Sequence, residues 1–122
     1  MGTAPTPTPP PVVASPAALE LTVSVTQAGA LRDAGAFVLD VREPDEFAAG
    51  HIGGARLIPL GELPNRLAEV PRDKMIVVVC RTGHRSAQGR DILLGAGYPS
   101  VTSMATGMTG WIAAGLPIAT GS

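Results

Sequence analysis

Five apolar residues in a row, Met75-Ile76-Val77-Val78-Val79, run into Cys80 and then directly into Arg81-Thr82-Gly83-His84-Arg85-Ser86. A continuous apolar, β-branched run of this length suits a strand covered on both faces, as in a parallel sheet. Parallel strands cannot be joined by tight hairpins, so the rest of the chain has to supply crossovers, most economically helices. The bulk numbers allow this. A chain of 122 residues has room for one domain and one core, and its hydrophobic fraction of 45% is enough to build one. Only 3% of the residues are aromatic, so Val, Leu, Ile, Ala and Met have to fill that core.

The alternation is present along the chain. Residues 22–25 read as a short strand, and residues 26–34 as a helix closed by Gly35. Residues 37–41 are apolar on both faces until Asp40 and read as a second buried strand. Glu43-Pro44-Asp45-Glu46-Phe47 opens a short helix with proline and acids in its first turn, and Gly50 closes it. Residues 56–59 give a strand and residues 60–70 an amphipathic helix. After the 75–79 strand, residues 85–96 read as a helix stopped by Gly97 and Pro99, and residues 100–104 as a last strand. In the final helix Met108, Trp111 and Ile112 fall at helical spacing, one face toward the core. The expected fold class is α/β: an open, mostly parallel five-stranded sheet with helices on both faces. Sites in such sheets lie beyond the carboxyl ends of the strands, which is where Cys80 sits.

Several function classes are disfavoured. Nine basic against ten acidic side chains give a net charge of -1, unlike the basic face of a nucleic-acid binder. No apolar run approaches the roughly 18 residues of a transmembrane span. One cysteine permits no internal disulfide and no CxxC pair, and His51 and His84 lack carboxylates at metal-ligand spacing, so no metal is expected. Residues 1–20 read as a Pro/Thr-rich disordered extension, with six of the twelve prolines falling among the first 18 residues, and residues 21–122 read as a single domain. The extension lacks the basic start and apolar stretch of a signal peptide. A soluble, cytoplasmic protein is the expectation, with an exported or tethered form as the alternative.

A lone cysteine is ordinarily a small buried hydrophobe. The sequence after Cys80 is unsuited to continuing a buried strand. A tight loop there, with Gly83 able to take positive φ, turns successive N–H groups inward toward the sulfur. The helix that follows adds free N–H groups and partial positive charge, and Arg81 and Arg85 add more. Those conditions depress a thiol pKa and leave a nucleophilic thiolate. His84 is expected to face solvent, because a thiol already ionised needs no general base. Asp40 and Arg42, at the end of the neighbouring strand, are expected to brace the loop by hydrogen bonds. His51 is expected to brace a turn, and Trp111 to lie in the core.

The stretch CRTGHRS, residues 80–86, resembles the active-site loop of the rhodanese family of sulfurtransferases. FVLDVREPDEFAAGHI, residues 37–52, is similar to that family's segment around its second strand, and GMTGW, residues 107–111, to its closing helix. The resemblance covers residues 21 to 119. It departs at Gly53, where the family more often has proline, and at Thr106-Gly107, which replaces the more usual pair of glycines.

The resemblance implies a single-domain sulfurtransferase with Cys80 as nucleophile. A donor anion such as thiosulfate, or a persulfide, would leave a Cys80 persulfide, and a thiol or cyanide would accept its sulfur. Arg85 is the candidate for holding the donor and Arg81 a second. Thr82, Gly83, His84 and Ser86 complete the substrate-binding loop, and no cofactor is required. Four residues separate Cys80 from Arg85, whereas relatives acting on phosphate esters have five, which disfavours a phosphatase. A sulfur-carrier module serving a protein partner, and a non-catalytic binding domain, are the alternatives.

Overall fold

The computed structural model describes residues 19–121, and the expectation of a disordered extension falls mainly on residues 1–18, outside the described residues. Five strands form one sheet: β1 Thr22–Val23, β2 Phe37–Asp40, β3 Arg56–Leu57, β4 Ile76–Val79 and β5 Val101–Met104. Their spatial order is β1-β5-β4-β2-β3 and every pairing is parallel. The most apolar strand, β4, is therefore central, paired to β2 through Val38↔Val77 and to β5 through Val78↔Ser103.

Side chains alternate along β4, as a two-residue repeat requires. Ile76, Val78 and Cys80 pack on one face with Leu39, Val41, Leu63, Leu93 and Tyr98. Val77 and Val79 pack on the other with Ala28, Ile52, Met104, Met108 and Trp111. Three α-helices contribute to these clusters. α1 Val25–Asp33 and α4 Gly107–Ala113 cover the second face, and α3 His84–Gly95 the first. α2 Pro44–Ala49 follows β2.

Local chemistry sets the helix starts. Ser24 caps α1, its hydroxyl accepting from the Gln27 amide at 3.0 Å while Gln27 Oε1 accepts from Ser24 N at 2.9 Å. That reciprocal cap ends β1 at Val23 and moves the helix start to Val25, one residue before the expected position. α2 begins at Pro44, and Glu46 Oε1 accepts from the Glu43 amide at 3.0 Å.

Residues 60–70 differ from the expected amphipathic helix. They form two 3₁₀ helices, Leu60–Asn65 and Leu67–Glu69, separated by Arg66 at φ -127°. Pro64, inside this stretch, lacks the N–H that an α-helical turn needs. The segment still serves the core, because Leu63 is fully buried. The Tyr98 hydroxyl also ties it to the connection between α3 and β5, donating to the carbonyls of Leu67 at 2.7 Å and Val70 at 2.8 Å. The strand expected at 56–59 is shortened to Arg56–Leu57.

Trp111 is buried as expected, its indole N–H donating to Pro117 O at 2.8 Å. Ile112 is not a core residue: it is 53% exposed. At the entrance to α4, Thr106 adopts φ 62°, and it is the single non-glycine in the left-handed region among the described residues. A β-branched residue is strained there, so Thr106→Gly is expected to raise stability by about 1 kcal/mol, read as a higher thermal midpoint. An unchanged or lower midpoint would show that the threonine side chain offsets its backbone cost.

Candidate functional site

Cys80 is the residue immediately after β4, and its side chain is 1% exposed. One side of it meets the apolar cluster of the α3 face. The other meets donors. Gly83, at φ 112°, turns its amide back to the sulfur and donates at 3.0 Å. A side chain at Gly83 would be strained at that φ. The Ser86 hydroxyl lies 3.5 Å from the sulfur, accepting from a thiol or donating to a thiolate.

Burial pushes the Cys80 thiol up. Against it act the Ser86 hydroxyl and the backbone amides of Ser86, Gly83 and Thr82, and the balance leaves the thiol below its ordinary value. Of the expected ring of inward amides, that of Gly83 donates directly to the sulfur, and those of Ser86 and Thr82 also act to lower the thiol. Two of them, Gly83 and Ser86, lie at the amino end of α3, where N–H groups have no helical partner.

The loop is held from behind by α4. Met108 N donates to Cys80 O at 2.8 Å and Thr109 N to Arg81 O at 3.1 Å. With its carbonyls turned to α4, the loop keeps its amides free for the sulfur. The close approach depends on Gly107, whose φ is 55° and which carries no side chain toward this loop.

Ser86 is fully buried, and its hydroxyl also lies 2.7 Å from the Ser103 hydroxyl and 3.1 Å from Gly83 O. A hydroxyl has one proton, so Ser86 can donate to only one of these groups at a time. When it donates to the sulfur, Ser103 has to be the donor of the Ser86–Ser103 pair. Ser103, on β5, joins the site without any signal in the loop sequence; its burial at 2% is what marks it. Alkylation of Cys80 by iodoacetamide is expected to titrate with a midpoint below that of free cysteine. Ser86→Ala should move that midpoint upward, because a donor to the charged form is lost. An unmoved midpoint would place the hydroxyl proton elsewhere.

The remaining site residues divide. Arg81, Thr82 and His84 are exposed, and Thr82 Oγ1 sits 3.3 Å from His84 Nδ1. Arg85, the expected donor-binding cation, is instead paired: its two terminal nitrogens meet Glu46 Oε1 at 2.8 Å and Oε2 at 2.9 Å. Those bonds are the chief cause holding Glu46 at about 2. Asp40 and Arg42 form a buried bidentate pair, with Arg42 NH2 also donating to Gly50 O at 2.8 Å. They brace the end of α2 rather than the Cys80 loop. His51 stacks on Phe47 with ring centroids 3.7 Å apart, and its Nδ1 lies 2.7 Å from Phe47 O. Between α2 and α4 a cleft of about 420 Å³ opens beside the loop, lined by Arg42, Glu46, Ala49, Arg81, Met108 and Ile112. Among the described residues no group of three His, Cys, Asp or Glu side chains could hold a metal ion. No helix there is long and apolar enough to cross a membrane.

The sequence profile of the rhodanese-like domain matches residues 24–114, which hold every strand of the sheet except β1. The chain belongs to the rhodanese-like domain family. Two curated rhodanese-like relatives are a sulfurtransferase of Allochromatium vinosum and the thiosulfate sulfurtransferase GlpE of Stutzerimonas stutzeri. The first is 38% identical over 66% of this chain and 76% of the relative. The second is 38% identical over 70% of this chain and 78% of the relative. The fold agrees as well. A rhodanese-related protein from Thermoplasma volcanium superposes with a TM-score of 0.77 at 31% identity, covering 82% of this chain and 98% of that one.

Proposed function

We propose that this rhodanese-like protein is a sulfurtransferase that carries sulfane sulfur as a persulfide on Cys80. The observation that supports it most is the set of donors converging on one sulfur atom: the Gly83 amide at 3.0 Å, the Thr82 and Ser86 amides and the Ser86 hydroxyl. Such a cradle stabilises negative charge on sulfur before and after transfer, with no donor to reorganise. The names of the curated relatives point the same way.

In the first step the Cys80 thiolate attacks the outer sulfur of the donor. With thiosulfate, a new S–S bond forms at Cys80, the donor S–S bond breaks, and sulfite leaves with the bonding pair. The transferred atom stands about 2 Å beyond the Cys80 sulfur and carries the negative charge that the loop donors stabilise. In the second step a thiolate or cyanide attacks that outer atom. The Cys80 thiolate is released, and the product is an organic persulfide or thiocyanate. Arg81, exposed on the loop, is the cation placed to meet an anionic donor, while Arg85 is already held by Glu46.

Intact-mass spectrometry after incubation with thiosulfate or an organic persulfide tests this reading. The protein is expected to become one sulfur atom heavier, with the addition mapping to Cys80 and lost on treatment with cyanide. Folded protein that gains no sulfur from either donor would refute it. Repeated turnover of thiosulfate with cyanide would further separate an enzyme from a carrier, which loads once and waits for its partner.

A further inference from the structure

The cleft between α2 and α4 is short of free positive charge. Arg42 is engaged by Asp40 and Gly50 O, and Arg85 by Glu46. Glu43, exposed near Arg85, adds a further negative charge on that side. Arg81 is the one cation lining the cleft with no carboxylate partner among the described residues. A dianion such as thiosulfate entering here meets one unpaired cation and the carboxylate of Glu46. Apolar lining comes from both helices: Ala49 of α2 and Met108 of α4, the latter beside Thr109, with Ile112 of α4 standing 53% exposed. A large aliphatic side chain left in water beside a cleft of about 420 Å³ suits a small ligand with a carbon body.

We propose that this cleft selects a small organic persulfide of low charge, and that Glu46 is a specificity-determining residue acting against dianionic donors. The carbon body lies on Ile112, Ala49 and Met108, and the single negative charge of the persulfide meets Arg81. Glu46 keeps Arg85 occupied, so that the second cation a dianion needs is withheld. The inference rests on the sulfurtransferase reading. With this donor, R–S–SH, the Cys80 thiolate bonds to the outer sulfur and the bond to the organic sulfur breaks. The organic sulfur leaves with the electron pair and takes the proton as R–SH, and Cys80 keeps the persulfide anion.

The test compares kcat/KM for thiosulfate and for propyl persulfide, which has an aliphatic body and no carboxylate, in the full chain and two variants. Glu46→Gln keeps the acceptor that caps the Glu43 amide but removes the charge that neutralises Arg85. It should raise the thiosulfate-to-persulfide ratio about tenfold, the size expected when a charged donor becomes available to an anion. Ile112→Ser alters an exposed position, so folding is not at stake. It should also raise the ratio about tenfold, here through loss on the organic donor, as removal of apolar contact from a binding surface does. Ratios that stay at the wild-type value in both variants would overturn the inference, as would a fall in Glu46→Gln. Failure of both donors to load Cys80 in the wild type would instead overturn the sulfurtransferase reading itself, so the two failures are distinguishable.

Discussion

Replacing Cys80 by serine is expected to abolish sulfur uptake and reduce thiosulfate–cyanide transfer by about a thousandfold or more, as loss of a covalent nucleophile does elsewhere. Serine retains the size of cysteine closely enough to sit at the end of β4, and its oxygen can accept from the Gly83 amide. It does not ionise near neutral pH, and only the charged sulfur attacks a sulfane atom and keeps it. The thermal midpoint therefore serves as the control. A variant that melts like the wild type and takes up no sulfur from either donor assigns the chemistry to this atom. A variant that keeps appreciable transfer activity would mean that the cradle works on another nucleophile, and the proposed mechanism would fall.

That prediction rests on the part of the molecule most legible in the sequence. The apolar run 75–79 could hardly be anything but a buried strand, and β4 is the centre of the sheet, with alternate side chains entering two separate clusters. Cys80 follows it, and Gly83 takes the positive φ that its position suggested. What the sequence hid depends on long-range pairing. Glu46 lies 39 positions from Arg85, and nothing in a linear reading tells an arginine waiting for substrate from one already bound by a carboxylate. Ser103 reaches Ser86 through the register of β5 against β4, which no loop motif encodes. Ile112 fits the apolar spacing of α4 but stands at a cleft rather than in the core, because a helix of seven residues turns only part of its apolar side inward. Residues 60–70 show the opposite failure. Their periodicity is helical, but Pro64 withholds one backbone donor, and the chain settles for 3₁₀ turns that still bury Leu63.

Gly107→Ala is expected to destabilise the fold by about 2 to 5 kcal/mol, combining a left-handed backbone with severe crowding. A methyl group built at this position would lie 2.4 Å from Cys80 O and 2.5 Å from both the carbonyl carbon and oxygen of Arg81. These are backbone atoms of the loop itself, so no side chain can swing away to relieve the contact. The loop and α4 have to separate, which breaks the hydrogen bonds from Met108 N to Cys80 O and from Thr109 N to Arg81 O. Once those carbonyls are released, the loop can rotate, and the amides of Thr82 and Gly83 lose their aim at the sulfur. The thiol should then rise toward its ordinary value, because burial pushes it up and the opposing donors have weakened. Thermal unfolding and the pH dependence of Cys80 alkylation measure the two effects separately. A large fall in thermal midpoint with an unshifted alkylation midpoint would show that the cradle holds its shape without α4, and the proposed coupling between helix packing and sulfur ionisation would be wrong.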